Sequence, residues 1–239
     1  MKAGLTRELL AEFVGTAALL AVIVGSGHMG EVLANGNAAI ALLANSTATG
    51  LMLYVLIVLF APISGAHFNP IVSLAFAWRS AIGWRKALLY IPVQVIGALA
   101  GVILAHAMFG LPLFELGTKA RIGWPQYLSE GVATAGLLAT IFLGHRARPN
   151  ALPALVGAYI AAAYWFTAST AFANPAVTIA RAFTDTFAGI RPVDAPAFLI
   201  AQIAGAALGL VLVAALTEHS PIAHGIHSAR RRKRKAVET

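Results

Sequence analysis

Cysteine is absent from all 239 positions, which excludes disulfides, thiolate catalysis and Cys-based metal sites. Charge is also scarce: Asp, Glu, Lys and Arg together make up 11% of the chain, against 59% apolar residues. So little polar surface cannot coat a water-soluble globule of this length, and the bilayer is the solvent that suits it. The nine acidic residues nowhere gather with histidine into a catalytic or metal-binding cluster, and no nucleophile sits beside a base. An enzyme is therefore the weakest of the function classes, and no cofactor or metal is expected.

What the chain does have is long apolar runs. Crossing about 30 Å of hydrocarbon takes about 20 residues of helix, and six stretches qualify, near 8–28, 38–61, 87–108, 128–145, 152–170 and 195–217. Two shorter apolar pieces, near 67–77 and 173–183, do not. Lys2 and Arg7 ahead of the first run give it a superficial likeness to a signal peptide, but Glu12 inside it and its match to a later segment predict a retained span. The net charge of +8 is distributed as a membrane protein distributes it. With both termini in the cytoplasm, Lys2, Arg7, Arg79, Arg85, Lys86, Arg146, Arg148 and the tail Arg230 to Lys235 share one side, 13 of 17 basic residues. That predicts a multi-pass protein of the inner membrane. The tail reads as a topology determinant or an anionic-lipid contact, not a nucleic-acid site.

Three pairs of segments recur in the same order. Glu12-Phe-Val-Gly-Thr-Ala-Ala-Leu-Leu-Ala21 matches Glu130-Gly-Val-Ala-Thr-Ala-Gly-Leu-Leu-Ala139. Asn69-Pro-Ile-Val-Ser-Leu-Ala matches Asn174-Pro-Ala-Val-Thr-Ile-Ala, and Gln94-Val-Ile-Gly-Ala-Leu-Ala-Gly101 matches Gln202-Ile-Ala-Gly-Ala-Ala-Leu-Gly209. Each half then holds three spans and one short piece. Three is odd, so the second half crosses the membrane upside down relative to the first. The predicted organisation is a first repeat over 1–109, an external connection over 110–126, a second repeat over 127–218 and a basic cytoplasmic tail over 219–239.

About ten residues of helix rise only about 15 Å, half a bilayer. Asn69 and Asn174 stand where an N-cap belongs, because Pro70 and Pro175 suit the first helical position. Both short helices should therefore start at the midplane and point their positive ends at each other. The irregular backbone before each cap, with Gly65, Ala66 and His67 in one half and Ser169 and Thr170 in the other, is tolerated only beside a water-filled cavity. Its carbonyls would accept hydrogen bonds along a pore, while the Asn amides donate to a passing oxygen.

His67-Phe68-Asn69-Pro70 and Ala173-Asn174-Pro175-Ala176, together with Glu12 and Glu130, resemble the aquaporin (major intrinsic protein) family over about residues 7–218. The resemblance implies an all-α membrane fold of six transmembrane helices plus two re-entrant half-helices in an inverted 3+3 repeat. It implies a homotetramer with one pore per protomer, passing water or small neutral solutes, and a loop-supporting role for Glu12 and Glu130. It also places a four-residue constriction at Thr49, Ala162, Ala171 and Val177.

Two departures stand out. The first box reads Asn-Pro-Ile, so Ile71 adds bulk beside the midplane where Ala176 stands in the second box. The constriction lacks the bulky aromatic, His and Arg that the resemblance associates with water-selective members, so it should be wide. Arg181, four residues beyond Val177, either lines the outer vestibule or snorkels to the interface near Asp185. A wide, weakly donating throat suits glycerol-like polyols, urea and the neutral hydroxides of arsenic and antimony, with methylated arsenicals as an extension. It looks like the throat of bacterial aquaglyceroporins associated with arsenic resistance. The alternatives are an ordinary water pore and a coupled secondary transporter, for which Glu12 or Glu130 would carry the proton.

Of the remaining residues, Trp78, Trp84, Trp124 and Trp165 read as interfacial belt residues, and Phe76 as packing. His28, His106 and His145 read as interfacial, and His219, His224 and His227 are too widely spaced for a metal site.

Overall fold

The computed structural model describes residues 4–217. Lys2, the basic tail and its three histidines lie outside the described residues. Among those described, eight α-helices and one 3-10 turn occur and no strand. They are α1 (Leu5–Leu33), α2 (Ala38–Ser64), α3 (Pro70–Trp78), α4 (Trp84–Phe109), α5 (Trp124–Ala147), the turn Pro149–Ala151, α6 (Leu152–Phe166), α7 (Pro175–Arg181) and α8 (Ala195–Thr217).

Local chemistry sets the helix ends. The Asn37 carboxamide oxygen accepts from the amides of Ala39 and Ile40 at 3.1 and 3.2 Å and starts α2. That helix stops at Gly65, whose φ of 95° only glycine adopts freely. Pro125, expected in the connecting loop, instead sits in the first turn of α5, where a missing N–H costs nothing. The connection accordingly ends at Gly123.

Helices α1, α2, α4, α5 and α8 are long and apolar enough to cross a membrane. The expected span over 152–170 is the exception: α6 has 15 residues and ends at Phe166, because Thr167 turns extended (φ −113°, ψ 136°) and starts the descent into the second pore loop. With 15 residues rising about 22 Å, the 3-10 turn before it completes the crossing. The half-helices are also shorter than the apolar pieces that signalled them, at nine and seven residues, since residues just ahead of each Asn are irregular.

The repeat is visible in the packing. Helix α4 lies along α1 as α8 lies along α5, and both contacts pass through glycines. A Cβ on Gly97 or Gly101 would come within 2.6 Å of the Phe13 carbonyl oxygen or 2.2 Å of that of Ala17. A Cβ on Gly205 or Gly209 would meet the carbonyl oxygens of Gly131 and Ala135 at 2.2 and 2.8 Å. These are small-xxx-small seams, in which close backbone approach replaces a hydrophobic driving force that lipid does not supply. Large apolar side chains face outward instead: Leu51, Ile200, Leu208 and Val211 are each more than 60% exposed.

Gly101→Val and Gly205→Val should each destabilise the fold by about 2–3 kcal/mol or prevent folding, because the obstructing atom is backbone that cannot yield. Gly83→Ala, whose new methyl meets nothing within 4 Å, should change stability by less than about 0.5 kcal/mol. Thermal unfolding of the purified protein in detergent checks both.

Candidate pore

The two Asn-Pro pieces meet. The Asn69 amide nitrogen donates to the Ala173 carbonyl at 2.8 Å, and the Asn174 amide nitrogen donates to the Phe68 carbonyl at 2.8 Å. Each Asn oxygen faces its own helix, accepting from the Ile71 amide at 2.9 Å in one half and from the Ala176 and Val177 amides at 3.0 and 3.3 Å in the other. Each side-chain nitrogen keeps a second N–H beyond the one spent across the interface.

The loops leading to these caps are strained. Ala66 and Phe68 have φ of 53° and 49°, and Ala171 and Ala173 have φ of 48° and 47°. Left-handed backbone at non-glycine positions costs on the order of 1–3 kcal/mol each and persists only where surroundings over-determine it. Here a buried carboxylate does so in each half. Glu12 Oε1 accepts from the Ser64 hydroxyl (2.6 Å) and the His67 amide (2.9 Å), and its Oε2 from the Phe68 amide (2.7 Å) and Gln94 Nε2 (2.8 Å). Glu130 Oε1 accepts from the Phe172 amide (2.9 Å), and its Oε2 from the Ala173 amide (2.9 Å) and Gln202 Nε2 (2.6 Å). Gln94 also donates to the Ser73 hydroxyl and Gln202 to that of Thr178, tying each loop to its half-helix. Every partner of the two carboxylates is a donor, so they act as acceptors only.

Between the caps runs a narrow cavity of about 90 Å³. Gly65, Ala66, His67, Asn69, Asn174 and Ala171 line it, as do Thr49, Val177 and Arg181. Pro70, Pro175, Ile71, Ala176, Ser169 and Thr170 do not; the Ser169 carbonyl instead accepts from Arg121 at 2.9 Å. Neither Glu12 nor Glu130 reaches the cavity, which disfavours both as proton carriers on a solute path.

Ala162 is a correction. It is exposed and points away from the cavity. Helix α6 lines the cavity through Leu152, Val156, Ile160 and Tyr164, a spacing of four. Ala162 lies two residues from either neighbour, about 200° round the helix and so on the far face. Tyr164 takes the place, its hydroxyl 3.4 Å from Thr49 Oγ1, and returns an aromatic to the throat.

Arg181 lines the cavity, one of the two positions its sequence left open. It does not snorkel to the interface: it is 1% exposed, and Asp185 is engaged with the amide and hydroxyl of Thr118 at 2.9 and 2.7 Å. Side chains on a helix tilt toward its N-terminus, and the guanidinium follows that slope back to Phe172, with Cζ 3.4 Å from the ring centroid. Its Nε donates to the Ala188 carbonyl, while the buried Nη1 has no partner among the described residues. Arg121, from the connection between the two repeats, has its Cζ 4.8 Å from the same ring, and its side chain donates to the carbonyls of Gly189 and Ser169. Burial, with Arg121 and Arg181 close by, pushes the neighbouring Lys119 down to about 8. The mouth beside the connecting loop is thus cationic. Phe76, the repeat counterpart of Arg181, lines the cavity as well and is not mere packing. His106 is buried, held between the Pro112 carbonyl and the Thr184 hydroxyl, and is not interfacial.

Tyr164, Phe172, Arg121, Gln94 and Gln202 were not expected in these roles. The glutamines carried a usable signal, a repeat-matched polar residue inside each of two spans. Arg121 carried none, because its reach depends on the path of a loop.

This arrangement of paired half-helices around a cavity defines a membrane pore protein. The profile of the major intrinsic protein family matches residues 1–168. The chain is 54% identical to "Aquaglyceroporin AqpS" of Rhizobium meliloti over 209 residues, 87% of this chain and 89% of that one. It is 33% identical to "Aquaporin-2" of Rhizopus delemar over 168 residues, 62% of this chain and 51% of that one. The X-ray structure of the aquaglyceroporin from Plasmodium falciparum superposes with a TM-score of 0.64 at 20% identity, over 88% of this chain and 94% of that one. The chain belongs to the major intrinsic protein family and has the aquaporin fold. It is a multi-pass membrane channel for water and small solutes, not an enzyme.

Glu12→Gln and Glu130→Gln each swap an acceptor oxygen for an amide that confronts the loop N–H groups. Each should cost about 2–3 kcal/mol and lower water flux in proteoliposomes. A variant with unchanged melting and flux would show that the carboxylate does not hold its loop.

Proposed function

We propose that this chain is a passive pore for small neutral hydroxylated solutes: glycerol-like polyols, urea-sized molecules and the trivalent hydroxides of arsenic and antimony, together with water. The observation that carries the reading is at the throat. Val177, Ala171 and Thr49 leave the cavity wall there light. Arg181 is anchored to Ala188 and Phe172 from a full helical turn farther out. Arg181, Tyr164 and Thr49 all line the cavity, the guanidinium as a donor for a solute oxygen and the other two through their hydroxyls. The name of the Rhizobium meliloti relative, an aquaglyceroporin, supports solutes larger than water. Methylated arsenicals, bulkier and partly apolar, suit the same Val and Ala wall.

In this reading Asn69 and Asn174 form the pore midplane with Pro70, Pro175, Ile71 and Ala176 behind them. Thr49, Ala171 and Val177 form the filter, joined by Tyr164 and Arg181 in place of Ala162. The carbonyls of 65–67 and 169–170 belong to the walls. The protein works as two inverted repeats in a homotetramer of the inner membrane with both termini cytoplasmic, the side that gathers 13 of 17 basic residues. The tail there meets anionic lipid.

Proteoliposome swelling and arsenite uptake test the reading. Glycerol and arsenite flux should be substantial and indifferent to proton or sodium gradients. Val177→Arg should cut both by about tenfold and spare water. Arg181→Gln should raise the ratio of glycerol to water flux. Unchanged glycerol and arsenite flux in Val177→Arg would overturn the filter assignment.

A further inference from the structure

A second hollow, separate from the pore, opens on the outer surface between α3, the start of α4 and α8, with a volume of about 670 Å³. Ile71 and Leu74 of α3 and Ile203 and Val211 of α8 give it apolar walls. Its depth is that of one leaflet. Ile71 sits next to the midplane cap, and the lining stretch of α8 from Ile203 to Ala214 rises about 16 Å, half of a hydrocarbon core of about 30 Å. The departure from Ala at position 71 thus finds a place at the deep end of this trough rather than in the pore.

The rim has a different chemistry. Trp78 and Trp84 stand there 70% and 51% exposed, as aromatic residues do at headgroup level. Arg79 stands between them, exposed, with its Cζ 5.7 Å from the Phe142 ring and no carboxylate within ion-pair distance among the described residues. At this end of the molecule, apart from the buried Glu12, the described acid is Glu8, already bound to Lys86 at 2.8 Å. A second copy of the chain would therefore bring Arg79 no described free carboxylate, whereas a phosphate would answer it directly.

We propose that the trough holds one acyl chain of an anionic phospholipid from the leaflet on the side of the chain termini. The phosphate lies beside Arg79, and Trp78 and Trp84 fix the headgroup level. The lipid buttresses α3, the nine-residue half-helix that carries Asn69. The proposal does not depend on which solute the pore carries.

Native mass spectrometry of the full chain, extracted from vesicles of equal phosphatidylglycerol and phosphatidylcholine, tests it. The wild type should retain phosphatidylglycerol about fivefold over phosphatidylcholine. Arg79→Gln should abolish that preference. Ala207→Phe, which fills the trough, should remove bound lipid of either headgroup while water flux persists. Equal retention of the two lipids by the wild type, or an undiminished preference in Arg79→Gln, would overturn the proposal. So would an Ala207→Phe protein that keeps its lipid but loses its oligomer, since the trough would then be a seat for a second copy.

Discussion

A pore through a membrane needs irregular backbone at a depth where no solvent repairs it, and the whole molecule turns on two buried carboxylates that make this possible. Glu12 and Glu130 each collect the amides of two successive loop residues, and these loops hold the left-handed residues that turn carbonyls inward. Without an acceptor those N–H groups would be orphaned in an apolar interior, at a cost comparable to the strain itself. The carboxylates in turn would be intolerable in lipid without their donors. Gln94 and Gln202 close each circuit by linking carboxylate, half-helix hydroxyl and long helix. The glycine seams act further out, bringing α4 and α8 close enough to α1 and α5 for those glutamines to reach.

Symmetry in this chain belongs to support, and asymmetry to the solute path. Glu, Gln, Asn, Pro and the seam glycines repeat nearly residue for residue. The cavity lining diverges: Phe76 stands where Arg181 stands in the other half, and α2 contributes Ile57 where α6 contributes Tyr164. The mouth on the side of the chain termini is therefore aromatic and the mouth beside the connecting loop cationic, with Arg121 and Lys119 of that loop adding to Arg181. A scaffold built twice fixes the geometry, and single substitutions on it set what passes.

That division explains what the sequence disclosed. Spans, half-helices, the Asn caps and the supporting glutamates were legible because they follow from apolar length, helix-start chemistry and internal repetition, all local or self-referential signals. The throat was legible only in part. Ala162 was placed by a residue count across a loop, and such a count fails when the helix ends earlier than expected, as α6 does at Phe166. The spacing of Leu152, Val156, Ile160 and Tyr164 carried the right face, and periodicity was the sounder guide there. Arg181 was placed by the height of its Cα, which neglects the long side chain that carries its charge back along the helix. Arg121 depends on the course of a loop, for which sequence offers no rule.

The crossing of the two Asn side chains bears on selectivity. Each spends one amide N–H on the opposite loop's carbonyl at 2.8 Å, which locks the pair and leaves one N–H apiece. Under the proposed pore function, a solute oxygen at the midplane accepts from these two donors. Such an oxygen points its own hydrogens outward, toward the loop carbonyls on either side. A chain of waters then has its polarity reversed at the centre, and a proton cannot be relayed across it. Polyols and trihydroxides satisfy the same pattern with successive hydroxyls, accepting at the centre and donating to the walls. A cation finds two helix N-termini and, at the mouth beside the connecting loop, the Arg181 guanidinium. Neutrality and hydroxyl count are thus screened at the midplane and width at the throat, so a change at Val177 can alter which solute passes without admitting protons.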